Sequence, residues 1–206
     1  MPHYKLVYFN IRALGEGIRL LFAYSGTQFE DVRISREEWP NLKPTMPFKQ
    51  IPILDVDGII IPQSAAICRY LGKQFGLVPE CPIEAALVDA VFDAHKDFYT
   101  ASAPYLKIVY GYIEGDKDKQ LKECAIPARD KYFPGLVQFL KNADSGYLVG
   151  KKITWADIYI ADHLTTIEEC FPNMFDGYPK VKEFCERILE IPQLKKWIQE
   201  RPKVPY

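Results

Sequence analysis

Gln63-Ser64 stands directly before a helical pattern, so the first backbone N–H groups of that helix are placed to receive a carboxylate, assisted by the helix dipole. Ser64 reads equally well as an ordinary N-cap, and both roles can coexist. Upstream, Phe48-Lys49-Gln50-Ile51-Pro52 ends at a proline immediately before a strand, where Pro52 on its own reads as the start of an edge strand. Trp39 and Lys43 lie four apart, one helical turn, and by themselves describe a solvated helix face. Tyr8 sits near the end of the β-favouring run Lys5 to Phe9. A phenol there stays protonated at neutral pH and has a hydrogen bond to give. Residue type alone also makes Tyr8 a plain strand aromatic, with Tyr4 competing for any donor role. Thr154-Trp155-Ala156-Asp157 has capping-box spacing, with Asp for the usual Glu, and reads as structural.

Other chemistries are disfavoured. His3, His95 and His163 are far apart and no H-E-x-x-H occurs, so no zinc site is expected. Cys68, Cys81, Cys124, Cys170 and Cys185 show no C-x-x-C spacing and suggest reduced thiols in the cytoplasm. The 26 basic and 27 acidic residues nearly cancel and form no long runs, which argues against a nucleic-acid footprint. Eighteen consecutive apolar residues occur nowhere, so no membrane insertion is expected, and MPHYKLVYFN has no signal-peptide pattern.

The elements that must position these residues change character along the chain. After the strand Lys5–Phe9, Ile18, Leu21 and Phe22 mark one face of a helix from about Gly15 to Ser25, stopped by Gly26. A short strand around Phe29 to Val32 precedes a loose helical segment. Ile53–Asp55 and Ile59–Ile61 flank an Asp57-Gly58 turn and form a hairpin. Ile67, Tyr70, Leu71 and Phe75 then stripe a helix that Ser64 would cap. Residues 1–77 thus read as a small α/β domain in the order βαβ, ββα. Residues 78–82, with Pro79 and Pro82, form a rigid linker. Residues 83–206 are helical in period, with helices around 87–98, 121–140, 155–170, 181–191 and 194–198. The fold class is α/β plus all-α.

YKLVYFNIR…E, W…LK…PF…IPIL, QSAAICRYL and ITWADIY, in that order and at that spacing, resemble sigma-class glutathione transferases, the group of the nematode enzymes and of haematopoietic prostaglandin D synthase. The resemblance covers essentially the whole chain. It implies a thioredoxin-like N-terminal domain that binds glutathione, a helical C-terminal domain that contributes the hydrophobic substrate site, and a homodimer. It makes Tyr8 the donor that holds the glutathione sulfur as a thiolate. Such a charge-assisted bond, worth about 1.5–3 kcal/mol, lowers a thiol pKa by about one to two units. It places the cysteinyl backbone of glutathione along Lys49, Gln50, Ile51 and a cis-Pro52, and the γ-glutamyl carboxylate at Gln63 and Ser64. The glycyl end falls at Trp39 and Lys43. Asp97 reaches across the dimer towards the γ-glutamyl amine. Phe9, Leu14, Tyr105, Tyr159, His163 and Tyr206 line the electrophile pocket.

Two departures bear on the chemistry. Leu14 stands where the synthase has an arginine, so thiolate stabilisation rests more heavily on Tyr8. Asp93 and Asp97 keep two carboxylates of the synthase's divalent-cation cluster, but Lys96 replaces the third, so no metal is expected. The activity implied is conjugation of glutathione to small hydrophobic electrophiles in detoxification. A glutathione-dependent prostaglandin-H2 D-isomerase, a non-catalytic binder of apolar ligands and, last, a crystallin-like relative are the alternatives.

Overall fold

The computed structural model describes residues 2–204. Strand β1 (Tyr4–Phe9) is central in a four-stranded sheet of order β2-β1-β3-β4, parallel to β2 (Glu30–Ile34) and antiparallel to β3 (Ile53–Val56). Strand β4 (Ile59–Pro62) closes the sheet by a hairpin. Asp57 and Gly58 both have positive φ, 50° and 90°, as an Asp-Gly turn between twisted strands requires.

Side chains alternate across β1. Tyr4 and Leu6 enter the large core shared with the helices, and Val7 packs with Ile34 and Ile53 on the other face, where Phe9, Trp39 and Ile51 join them. Tyr8 therefore faces the helices α1 (Ala13–Ser25) and α3 (Ser64–Gln74), while Phe9 faces the docking loops. Between β2 and β3 the chain forms a single turn, α2 (Trp39–Leu42), followed by two 3₁₀ turns, Lys43–Thr45 and Pro47–Lys49. This is the small α/β domain that the pattern implied, and the thioredoxin-like fold that the resemblance implied.

Everything after it is helical. The first helix, α4 (Pro82–Val109), runs for 28 residues, well past the 87–98 stripe. The single helix expected over 121–140 is instead α5 (Lys117–Gln120), a π turn (Leu121–Ala125) and α6 (Ile126–Ala143). Pro127 has no N–H to give the carbonyl four residues back, so a regular α ladder cannot run through this point. The helices α7 (Trp155–Glu168), α8 (Pro179–Leu189) and α9 (Pro192–Glu200) complete the bundle. Thr154 and Asp157 form the expected capping box, and Asp157 also accepts the Leu148 N–H at 2.8 Å. Burial pushes the Asp157 carboxyl up to about 6 against these hydrogen bonds.

The two parts share one core. Trp155 packs on Gly72 of α3, and its backbone N–H donates to the Leu77 carbonyl at 3.1 Å. Arg69 of α3 pairs with Asp89 and Asp93 of α4 at 2.7 and 3.3 Å. At the α1–α7 contact a buried ionic cluster forms. Glu16 and Arg19, both fully buried, pair at 2.9 Å, and Trp197 and Arg201 donate to Glu16 at 2.8 and 3.0 Å.

Candidate functional site

Tyr8 is held from several sides. Its oxygen accepts the Leu14 N–H at 3.3 Å, and its ring is so close to Gly15 that a Cβ there would lie 2.3 Å from Cδ1. Glycine is required for that approach. The loop between β1 and α1 is tied by Arg19, which donates to the carbonyls of Ile11 at 2.8 Å and Phe9 at 3.3 Å. Burial raises the Tyr8 phenol well above its ordinary value, opposed by the Leu14 N–H and the Arg19 charge. The group stays protonated. With its oxygen accepting from Leu14, the O–H hydrogen is the part left to donate.

Beside it opens a cavity of about 430 Å³. Phe9 at the end of β1 and Leu14 at the start of α1 border it, Trp39 from the α2 turn and Lys43 from the 3₁₀ turn after it, and Lys49, Gln50, Ile51 and Pro52 from the segment before β3. Gln63 and Ser64 close it at the start of α3. Ten residues singled out from the sequence thus share one cavity. Its charged lining residues, Lys43 and Lys49, are both cationic. Gln50 is extended and the Ile51–Pro52 bond is cis, which sets the backbone before β3 along the cavity wall.

The start of α3 differs from the expectation. Ser64 is the first helical residue and does not cap the helix. Gln63 occupies the cap position with φ 73°, and no side chain caps the helix. The first N–H groups of α3 are therefore left for a ligand. The Gln63 amide instead donates to Gln50 at 3.3 Å, bridging two walls of the cavity.

Several expected pocket residues lie elsewhere. Tyr105 is completely buried and its hydroxyl donates to the Cys170 carbonyl. His163 is buried against His95, with Nε2 of His95 2.7 Å from Nδ1 of His163. Both are core residues of the helical domain: their period-matched positions on α4 and α7 point inward. Tyr159 is also buried, and its hydroxyl meets the Leu14 carbonyl at 3.5 Å. Leu14 is thus gripped at its N–H by Tyr8 and at its carbonyl by Tyr159, so Tyr159 braces the loop from behind. Tyr206 lies outside the described residues. Asp97 is not among the residues that line this cavity. It is exposed beside an apolar groove between α4 and α6 that Val91, Phe98, Tyr132 and Leu136 line.

Sequence reasoning missed a second cavity, of about 610 Å³, adjoining the first and sharing Phe9 and Trp39 with it. Ile11, Ile34, Arg36 and Tyr112 complete most of its wall. The exposed hydrophobes Tyr112 and Ile113 just after α4 were the available signal.

A thioredoxin-like sheet with a cis-proline cavity, a buried tyrosine at its edge and a helical second domain defines the class of two-domain glutathione-binding folds. The chain belongs to the glutathione S-transferase family: residues 4–73 match the model for the N-terminal domain of that family and residues 99–201 that for its C-terminal domain. It is 52% identical over its full length, and that of the relative, to glutathione S-transferase 1 of Ascaris suum. A structure of a monomeric glutathione S-transferase from the hookworm Necator americanus is 44% identical with a TM-score of 0.95, covering 99% of this chain and 100% of that one. Prostaglandin synthase D of Nilaparvata lugens is 36% identical with a TM-score of 0.88, over 99% and 100% of the two chains.

Proposed function

We propose that this protein is a sigma-class glutathione transferase that conjugates glutathione to small hydrophobic electrophiles. The observation that carries the reading is the single cavity that gathers the eight docking residues, with Leu14, whose N–H meets the Tyr8 oxygen, on its wall. The helix start at Gln63 and Ser64 takes the γ-glutamyl carboxylate, the extended wall at Gln50–Ile51 pairs with the cysteinyl backbone as an added strand, and Lys43 meets the glycyl carboxylate. The sulfur then lies against Tyr8, whose O–H donates to the thiolate and lowers the thiol pKa by about one to two units. The thiolate attacks the electrophilic carbon. A C–S bond forms, and the leaving group departs with its electron pair.

Residues 1–77 act as the glutathione domain, 78–82 as the linker and 83–206 as the helical domain in this reading. Asp97 acts in a homodimer, its carboxylate serving the partner's γ-glutamyl amine from the rim of the α4–α6 groove. No resident metal is required: Arg69 pairs with Asp93, and Lys96 adds a further cation beside Asp97. Reduced cysteines suit a cytoplasmic setting. The likeness to a prostaglandin synthase supports isomerisation of prostaglandin H2 as the second reading, in which the thiolate is returned unchanged. Leu14 in place of the synthase's arginine favours conjugation.

The test is Tyr8→Phe. Glutathione affinity should be nearly retained, turnover at neutral pH should fall at least about tenfold, and the bound thiol's pKa should rise by about one to two units. Thiolate absorbance titrated from acid to alkaline pH reads the shift. Superimposable curves for both proteins would remove Tyr8 from the chemistry.

A further inference from the structure

The second cavity has apolar walls in Phe9, Ile11, Ile34 and Trp39, and it adjoins the first cavity through the shared Phe9 and Trp39. One cation stands at its edge. The Arg36 guanidinium carbon lies 4.5 Å from the centroid of the Tyr112 ring, joining the loop after β2 to the segment after α4 across the cavity. Among the described residues Arg36 has no carboxylate partner. Of the charged residues nearby, Glu38 accepts the Ser35 N–H at 2.7 Å, Arg33 pairs with Asp31 at 2.7 Å and reaches Asn10 at 3.2 Å, and the adjacent Glu37 is exposed and forms no ion pair with Arg36. Asn10 adds an amide to the same wall.

An uncompensated guanidinium on an aromatic shelf, at the rim of an apolar chamber, selects a ligand with a hydrophobic body and an anionic end. We propose that this cavity is the electrophile site and that Arg36 is its specificity-determining residue, favouring apolar electrophiles that carry a carboxylate. The body of such a substrate rests against Phe9 and Ile11, and its carboxylate meets the Arg36 fork at the Tyr112 edge. This deepens the conjugation reading and rests on it.

A matched pair of probes isolates the charge: 4-chloro-3,5-dinitrobenzoate and its methyl ester. In both, the thiolate sulfur bonds to the ring carbon bearing chlorine, and chloride leaves with the bonding electron pair. Arg36→Gln should lower the acid-to-ester ratio of kcat/KM by about three- to fivefold, the range expected of a partly solvated ion pair, with the change carried by KM. Arg36→Lys should recover part of it, and high salt should erase the difference. Binding of anilinonaphthalene sulfonate, read by fluorescence without any turnover, should weaken by a similar factor in Arg36→Gln. An unchanged ratio together with unchanged sulfonate binding would overturn the proposal. Sulfonate binding that depends on Arg36, with neither probe conjugated by the wild type, would support the anion site and overturn the conjugation reading instead.

Discussion

Glu16→Gln tests how the two domains hold the reactive loop. The Glu16 carboxylate, with no solvent exposure, accepts from Arg19 at 2.9 Å, Trp197 at 2.8 Å and Arg201 at 3.0 Å. Burial alone would raise its pKa, but the Arg19 and Arg201 charges outweigh it and hold the carboxyl below its ordinary value. Removing one member of a buried pair typically costs about 3–5 kcal/mol, because the remaining charge keeps its desolvation penalty. With a urea m value of about 3 kcal/mol/M, the midpoint should drop by about 1–1.7 M at pH 7. Arg201→Gln should cost less, since Arg201 is partly exposed and Glu16 retains Arg19. A second readout comes from Asp162, whose carboxyl is pushed up to about 6 by burial and then by the Glu16 charge. Glu16→Gln should lower the Asp162 titration midpoint in carbon NMR. In sign, the depressed Glu16 pKa supplies stability that is present above its unfolded value and lost as pH falls through its folded value. The raised Asp162 pKa works oppositely, so its contribution improves as pH falls below about 6. A Glu16→Gln midpoint equal to wild type, or a larger loss from Arg201→Gln, would refute the view that Glu16 is the hub.

Gly15→Ala should drive a methyl group into the Tyr8 ring and reduce turnover by at least about tenfold, with a lower Tm; wild-type turnover would mean the ring is free to yield. Ser64→Ala should weaken glutathione binding by about 1–3 kcal/mol in calorimetry with little change in Tm, because Ser64 does not cap α3; early melting with normal binding would indicate the reverse. Burial lowers His163 to about 4, and burial together with the His163 charge puts His95 well below its ordinary value. Their contribution to stability is whole above the unfolded value of about 6.5 and is lost as pH falls towards 4, about 3 kcal/mol for His163. His163→Gln should flatten Tm against pH across that window, and an unchanged slope would assign the acid loss to carboxylates alone.

The sheet was legible because its signals are local: alternation marks β1 and Asp57-Gly58 marks the hairpin. Pro52 and Ser64 by themselves mark only a strand start and a helix start, and it was the resemblance that joined them into one cavity. The electrophile pocket was not legible, because its residues come from distant segments and period does not say whether an aromatic ends up against another helix or against space. Tyr105, Tyr159 and His163 sit on helix faces that neighbouring elements cover. Tyr112 and Arg36 meet only because the folded β2 loop approaches the end of α4. Ser64 was placed one position too far out because Gln63 adopts a positive φ, a conformation rarely taken by residues other than glycine and uncommon even at helix starts. The π turn before Pro127 hid in a continuous helical stripe for a similar reason: apolar period does not count backbone donors.

The grip of α9 on Glu16 also orders events during synthesis. Trp197 and Arg201 follow Glu16 by 181 and 185 positions, and until they arrive the buried carboxylate lacks two of its three donors. At roughly 5–20 residues per second the interval is on the order of ten to forty seconds. Throughout it the nascent sheet carries an unfinished charge pair beneath its reactive loop. The segment made first is therefore completed by the segment made last: a ribosome that stalls short of Trp197 leaves an amino-terminal domain whose buried Glu16 has Arg19 alone as its donor.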